Sequence, residues 1–420
     1  MTHTLQLLLC LVIILFCAKL GGALSQRIGQ PAVFGKLLIG VILGPTVINL
    51  LGLPFFDKSL GQTVSDLAHL GVILLMFIAG METNLKEMLK VGKTAFSSAM
   101  GGVILPMLGG TWLSLLFGYS LAESIFIGTI LTATSVSITA QTLMELGKIQ
   151  SKEGTTILGA AVIDDVLGII ILSLVIGFER SETGLNWVSI SALSIKIILF
   201  FALSIYLGFK FLPKLTEYAS KVQATESVFA FTLMVCFFYA WAAEYWGGIA
   251  DITGAYIVGI IFAQTKFHKE IEHRVQIIAY ALFVPIFFVS IGLEADAKTL
   301  GGELLFVLLI VAFAIISKSA GGFIGARLTQ FNNLESLRVG VGMISRVEVA
   351  SIVALTGLEA KIIGSDVFSS MIIMTLVTTL VTPILLKIVF PNPKLASEKR
   401  DLTDDSVNDF VNKGGKDYET

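Results

Sequence analysis

Apolar runs about twenty residues long, separated by short loops that carry most of the charge, fill the first 390 residues of the chain. A helix needs roughly 20 mostly apolar residues to cross the hydrocarbon of a bilayer. About thirteen segments meet that requirement: 5–24, 31–53, 66–81, 91–116, 121–143, 154–178, 187–212, 226–244, 249–265, 275–293, 303–327, 337–356 and 366–389. Loops after the odd-numbered segments hold Arg27; Lys86, Lys90 and Lys93; Lys148 and Lys152; Lys210, Lys214 and Lys221; Lys266, Lys269 and Arg274; and Arg327 with Arg338. Those after the even-numbered segments hold only Lys58, Arg180, Lys298 and Lys361. Because basic loops stay in the cytoplasm, the pattern predicts an outside N-terminus and a cytoplasmic C-terminus in the cell membrane. Residues 391–420 are polar and aperiodic, which predicts a short disordered cytoplasmic tail.

Composition narrows the class. The 420 residues are 55% hydrophobic and 14% charged, too little charge for the surface of a soluble domain, so the fold class is an all-α polytopic membrane protein. A net charge of -2, with no basic cluster interleaved with aromatics, argues against a nucleic-acid partner. Cys10, Cys17 and Cys236 lie in apolar runs without a CxxC pair and read as apolar fillers. Four histidines show no zinc spacing. The first run contains Lys19, lacks a preceding basic residue and reads as a retained span, not a cleaved signal peptide.

A weak internal repeat links MFIAGMETNL at 76–85 to FVSIGLEADA at 288–297. The two lie seven spans apart, and an odd offset makes the copies run in opposite directions. That is the inverted-repeat architecture of many secondary transporters.

A charge at the bilayer centre costs about 2.5–3.5 kcal/mol on insertion scales, so each one needs a reason. The sixth span holds Asp164 and Asp165 in GAAVIDDVLGI, the eleventh holds Lys318, and the twelfth holds Arg346 and Glu348 in SRVEVA. At the same depth the fifth span carries the hydroxyl-rich run TATSVSITA. Three carboxylates against two cations leave one negative charge, which a monovalent cation or a proton completes. Neighbours on a helix point about 100° apart, so Asp164 and Asp165 cannot serve one partner. One faces Lys318; the other faces the hydroxyl-rich segment as a cation ligand. Simple packing competes with ligation for Thr134. Arg346 and Glu348, two residues apart, fit a structural role at the ends of an unwound stretch at least as well as ion contact.

Rival readings fit less well. An intramembrane aspartyl protease needs two carboxylates on different helices sharing one water, whereas these diverge from one helix. A channel is disfavoured by fixed paired charges and the lack of a ring-forming filter motif. The expectation is a carrier, not an enzyme.

FIAGMET, TATSVSITA, AxxIDDVLG, the mid-helix Lys318 and SRVEVA together resemble the bacterial sodium/proton antiporters of the second monovalent cation/proton antiporter family, of the NapA and GerN type. The resemblance covers about 385 residues, nearly everything before the tail. It implies the antiporter fold, in which two discontinuous helices, the fifth and twelfth spans, cross near mid-membrane. It implies a homodimer, with dimerisation helices at about 5–53 and 226–265, a mobile core at about 66–178 and 275–389, and a linker helix at about 187–212. It implies that Asp165 is the principal Na+ ligand, that Asp164 pairs with Lys318 and also lines the Na+ site, and that Thr134 and Ser135 lie close to the ion. Elevator-like alternating access and electrogenic exchange of Na+ or Li+ for protons follow from the same resemblance, with no cofactor beyond the transported ions. A K+/H+ or Na+/H+-K+ exchanger is the alternative, weakened by the lack of a cytoplasmic nucleotide-binding domain like that of the glutathione-gated potassium-efflux members.

Overall fold

A computed structural model describes residues 2–57, 59–180, 187–222, 225–293 and 304–390. The predicted tail at 391–420 and the last residues of the repeat, 294–297, lie outside the described residues. All regular structure described is helical. In chain order the first helices are α1 His3–Arg27, α2 Ala32–Leu43, α3 Leu60–Glu82 and α4 Leu85–Leu116. Then come α5 Leu121–Thr132, α6 Val136–Glu145, α7 Lys152–Arg180 and α8 Trp187–Ala219. They are followed by α9 Ser227–Ala242, α10 Asp251–Phe262, α11 His268–Ile278 and α12 Val284–Leu293. The last four are α13 Leu304–Leu328, α14 Asn333–Gly342, α15 Glu348–Glu359 and α16 Ser365–Val389. A π-helical turn, Ala279–Phe283, joins α11 to α12, and another, Ala243–Gly247, extends α9.

Ten of the described helical segments are long and apolar enough to cross a membrane, and α2, α10 and the apolar part of α15 are shorter. The expected second span, 31–53, overran its helix. It stops at Leu43 because Gly44 precedes Pro45 and takes an extended conformation, φ -72° and ψ 178°, as residues before proline do.

The fifth and twelfth spans are each broken in two. α5 opens on a capping box in which Ser120 and Glu123 satisfy each other's backbone N–H groups, and α14 opens on the same device from Asn332 and Glu335. Each then stops at mid-span, α5 at Thr132 and α14 at Gly342, and α6 and α15 resume within a few residues. Two broken helices seven spans apart, entering from opposite faces, carry the inverted repeat further than its faint sequence signature does.

Packing sorts the helices into two groups. α3 packs on α10, α12 packs on α2 and α3, and α1 packs on α2. On the other side α4 lies along α13, α5 and α7, and α13 lies against α14 and α16. α8 bridges them, touching α7 on one side and α9 and α10 on the other. The expectation grouped 66–81 and 275–293 with the core; the packing instead associates α3, α11 and α12 with α1, α2 and α10. Glycine enforces the closest approaches. A Cβ on Gly321 of α13 would meet the Gly101 carbonyl of α4, and one on Gly259 of α10 would meet the Phe77 carbonyl of α3. Lipid supplies no hydrophobic drive between helices, so contacts of this small-residue kind hold a bundle together.

Candidate ion-binding site

The two gaps in the broken helices leave backbone groups unpaired in the middle of the bundle, and the site is assembled from what satisfies them. The two breaks cross and bond directly. The Ser135 N–H donates to the Ser345 carbonyl at 2.7 Å, and the Ser345 hydroxyl returns to the Ser135 carbonyl at 2.6 Å. Thr139 fixes the same crossing by donating to the Gly342 carbonyl at 2.8 Å. Ser135 thus holds the two breaks together, and its own hydroxyl lies 3.0 Å from that of Ser137.

Two buried cations close the C-terminal end of α5, where the helix dipole is negative. Arg346 donates from Nε and Nη2 to the Leu131 carbonyl at 3.1 and 2.8 Å, and also reaches the Ile344 and Ala314 carbonyls. Lys318 donates to the Thr132 carbonyl. Both side chains are fully buried. Arg346 is therefore a cap for an interrupted helix, in line with the structural role weighed for it. Glu348 begins α15, but its side chain lies outside the described residues.

Lys318 also donates to Asp164 Oδ2 at 2.8 Å, a salt bridge with neither side chain exposed. The Thr134 hydroxyl donates to the same oxygen. The other oxygen, Asp164 Oδ1, is buried without a hydrogen-bond partner. A buried carboxylate oxygen left bare is costly, and a cation at that atom removes the cost. Asp165 diverges as adjacent helix positions must. Its Oδ2 lies 3.4 Å from the Thr253 hydroxyl of α10, across the divide between the two packing groups. Of the expected residues, the structure thus gathers Asp164, Thr134 and Lys318 directly and brings Asp165 to Thr253; Thr134, expected beside the aspartate that does not take Lys318, instead shares Asp164 Oδ2 with it.

A cavity of about 320 Å³ approaches that side. Its walls include Gly168 and Ile169, one turn beyond the aspartates on α7, and Glu244, Asp251 and His69. The Asp251 carboxylate meets His69 Nε2 at 2.5 Å. A larger cleft of about 480 Å³ between α8 and α9 has almost wholly apolar walls and none of the buried mid-helix charges, so it is set aside as an ion site.

The sequence matches the profile of the transmembrane sodium/hydrogen exchangers over residues 12–391. The chain belongs to the sodium/hydrogen exchanger family. It is 42% identical to GerT of Bacillus cereus, named a probable Na+/H+ antiporter, over 90% of this chain and 98% of that one. It is 40% identical to the Na+/H+-K+ antiporter GerN of the same organism, over 90% and 95%. Its fold is similar to that of the sodium proton antiporter MjNhaP1 of Methanocaldococcus jannaschii, with a TM-score of 0.68, 17% identity and coverage of 93% and 99%.

In this exchanger-family protein the sequence reading missed Thr253, although a lone hydroxyl two residues after Asp251 in DITGAYIVG was visible. It also missed the partners of Arg346, because backbone carbonyls leave no trace in residue identity. At the face bearing the basic loops, Glu82 lies just past the apolar span Leu60–Met81. Burial and the neighbouring Glu272 push its carboxyl up to about 7, against a smaller opposing effect of its hydrogen bond from Gln276. There too, Glu145 at the end of α6 accepts the Ala32 N–H at 2.6 Å and so ties one packing group to the N-terminus of α2 in the other.

Proposed function

We propose that this protein exchanges Na+ or Li+ for protons across the bacterial cell membrane. The observation that carries the reading is the pair of diverging buried carboxylates: Asp164 is held by Lys318 and Thr134, while Asp165 meets Thr253 of α10, two residues from Asp251 in the wall of the 320 Å³ cavity. Cations gather at Glu244 and Asp251 and reach Asp165 and the bare Asp164 Oδ1. A proton competes for the same oxygens, so the site holds one cargo or the other. The unneutralised site crosses lipid poorly, and exchange follows without a separate gate.

The moving body is α4 to α7 with α13 to α16, sliding in elevator fashion along α1 to α3 and α9 to α12. Packing is closer within each set than between them, where α6 meets α2 and α3 and α16 meets α2, and this supports that division. With sodium bound, Asp164 is drawn from Lys318, whose ammonium has no exposed surface and gives up its proton. Two protons then move against one sodium, and exchange is electrogenic. The chain works as a homodimer through the exposed apolar faces of α1 and α9, which carry Leu5, Val12 and Phe16, and Met234 and Trp241. Its C-terminus lies in the cytoplasm. Potassium is the second reading, favoured by the relationship to GerN, named a Na+/H+-K+ antiporter.

The test is proton flux in reconstituted vesicles holding an imposed pH gradient, with sodium, lithium or potassium added in turn. Collapse by sodium and lithium, lost in Asp165→Asn, is the expected result. An equal or larger response to potassium supports the second reading, and silence with every cation overturns both.

A further inference from the structure

Every residue expected at the site from sequence lies on α7, α13 or the broken helices, all in one packing group. Thr253 does not. It sits on α10, which is locked into the other group on two sides. A Cβ on Gly254 would meet the Tyr239 carbonyl of α9, and one on Gly259 would meet the Phe77 carbonyl of α3. At its N-terminus Asp251 pairs with His69 of α3. Thr253 is thus presented to Asp165 by a fixed scaffold, and its side chain is buried.

The distance is informative. At 3.4 Å, Thr253 Oγ1 and Asp165 Oδ2 are farther apart than a good O–H···O hydrogen bond allows. Oxygen ligands of Ca2+, an ion close to Na+ in radius, stand at about 2.3–2.6 Å, so two ligands at right angles are about 3.3–3.7 Å apart. The observed separation falls in that interval. A hydroxyl suits both cargoes: its lone pairs ligate sodium, or accept a hydrogen bond from protonated Asp165.

We infer that Thr253 is a sodium ligand supplied by the stationary half of the protein, present only while the site faces the Asp251–His69 cavity. When α7 moves, Asp165 leaves Thr253 behind. Sodium is then held more tightly at the face bearing that cavity than at the basic-loop face, and Thr253 is the cause of the difference. This rests on the proposed sodium exchange and on the sliding of one packing group past the other.

The experiment compares right-side-out and inside-out membrane vesicles, with KM and maximal rate for sodium measured at each face for the parent, Thr253→Val and Thr253→Ser. Valine keeps the shape and removes the oxygen; Thr253→Ala replaces it if the valine protein fails to insert. The expected result is a KM about tenfold higher at the cavity face, the loss of one polar contact. KM at the basic-loop face and the maximal rate change less than about twofold, and serine restores the parent value. A purely structural role would move both faces together. An equal rise at both faces, no rise at either, or no rescue by serine overturns the inference while leaving sodium exchange intact. A parent protein that shows no sodium-coupled flux in either vesicle overturns the exchange reading and this inference with it.

Discussion

Replacing Lys318 by glutamine tests whether the buried pair is a unit. In the parent, Lys318 Nζ lies 2.8 Å from Asp164 Oδ2, with no exposure on either side. Glutamine removes the charge and leaves the carboxylate with the Thr134 hydroxyl on one oxygen and no hydrogen-bond partner on the other. Breaking a buried pair from one side costs about 3–5 kcal/mol, because the remaining charge is uncompensated. Asp164→Asn strands the ammonium against the Thr132 carbonyl and costs a similar amount. The double variant holds two neutral amides in the same space, and burying a neutral pair of similar volume is close to neutral. Both singles should therefore melt several degrees below the parent in detergent, and the double should melt above either single. Thermal unfolding followed by intrinsic fluorescence reads this directly, the chain having four tryptophans. Effects that add to within about 0.5 kcal/mol mark independent sites. An additive double, or a Lys318→Gln protein as stable as the parent, would refute the pairing argument. Transport assays on the same variants would separate stability from exchange, since the stabilised double still lacks the proposed second proton.

Arg346→Gln removes donors from the Leu131, Ile344 and Ala314 carbonyls at the crossing of the broken helices; a loss of at least about 3 kcal/mol is expected from buried acceptors left unpaired, with low yield of folded protein by size-exclusion profile as the readout. Glu82→Gln bears on pH. A carboxyl pushed up to about 7 binds its proton more tightly folded than unfolded, so its penalty on stability grows as pH rises from its ordinary value near 4.5 toward 7 and is complete above that. The variant should match the parent in melting temperature near pH 4.5 and exceed it near pH 8; a difference that is the same at both pH values would contradict the assignment.

The sequence alone determined that the chain lives in lipid, because 55% hydrophobic residues in runs of spanning length allow nothing else. It also determined that the Asp164–Asp165 pair divides its labour, since the 100° between helical neighbours is a property of any helix. It marked Lys318 and Arg346 as anomalies for the same reason, a charge in hydrocarbon being expensive wherever its partner lies. It could not say that 121–143 and 337–356 break in the middle. Hydropathy averages over a window, and a gap of a few residues such as Ala133–Ser135 changes the average little. That expectation came from family resemblance alone, and the reciprocal Ser135–Ser345 bonds account for it physically. The assignment of Lys318 to Asp164 likewise came from the resemblance and not from helix geometry, and the 2.8 Å contact accounts for it. Tertiary structure alone decided that Arg346 answers carbonyls in place of a carboxylate, and that Thr253, 88 residues from Asp165 in the chain, stands beside it. The physical reason is the same in each case. Periodicity and burial are local properties of a helix, whereas the partner of a buried polar group is set by which helix glycine lets approach it, and that is known only once the bundle is packed.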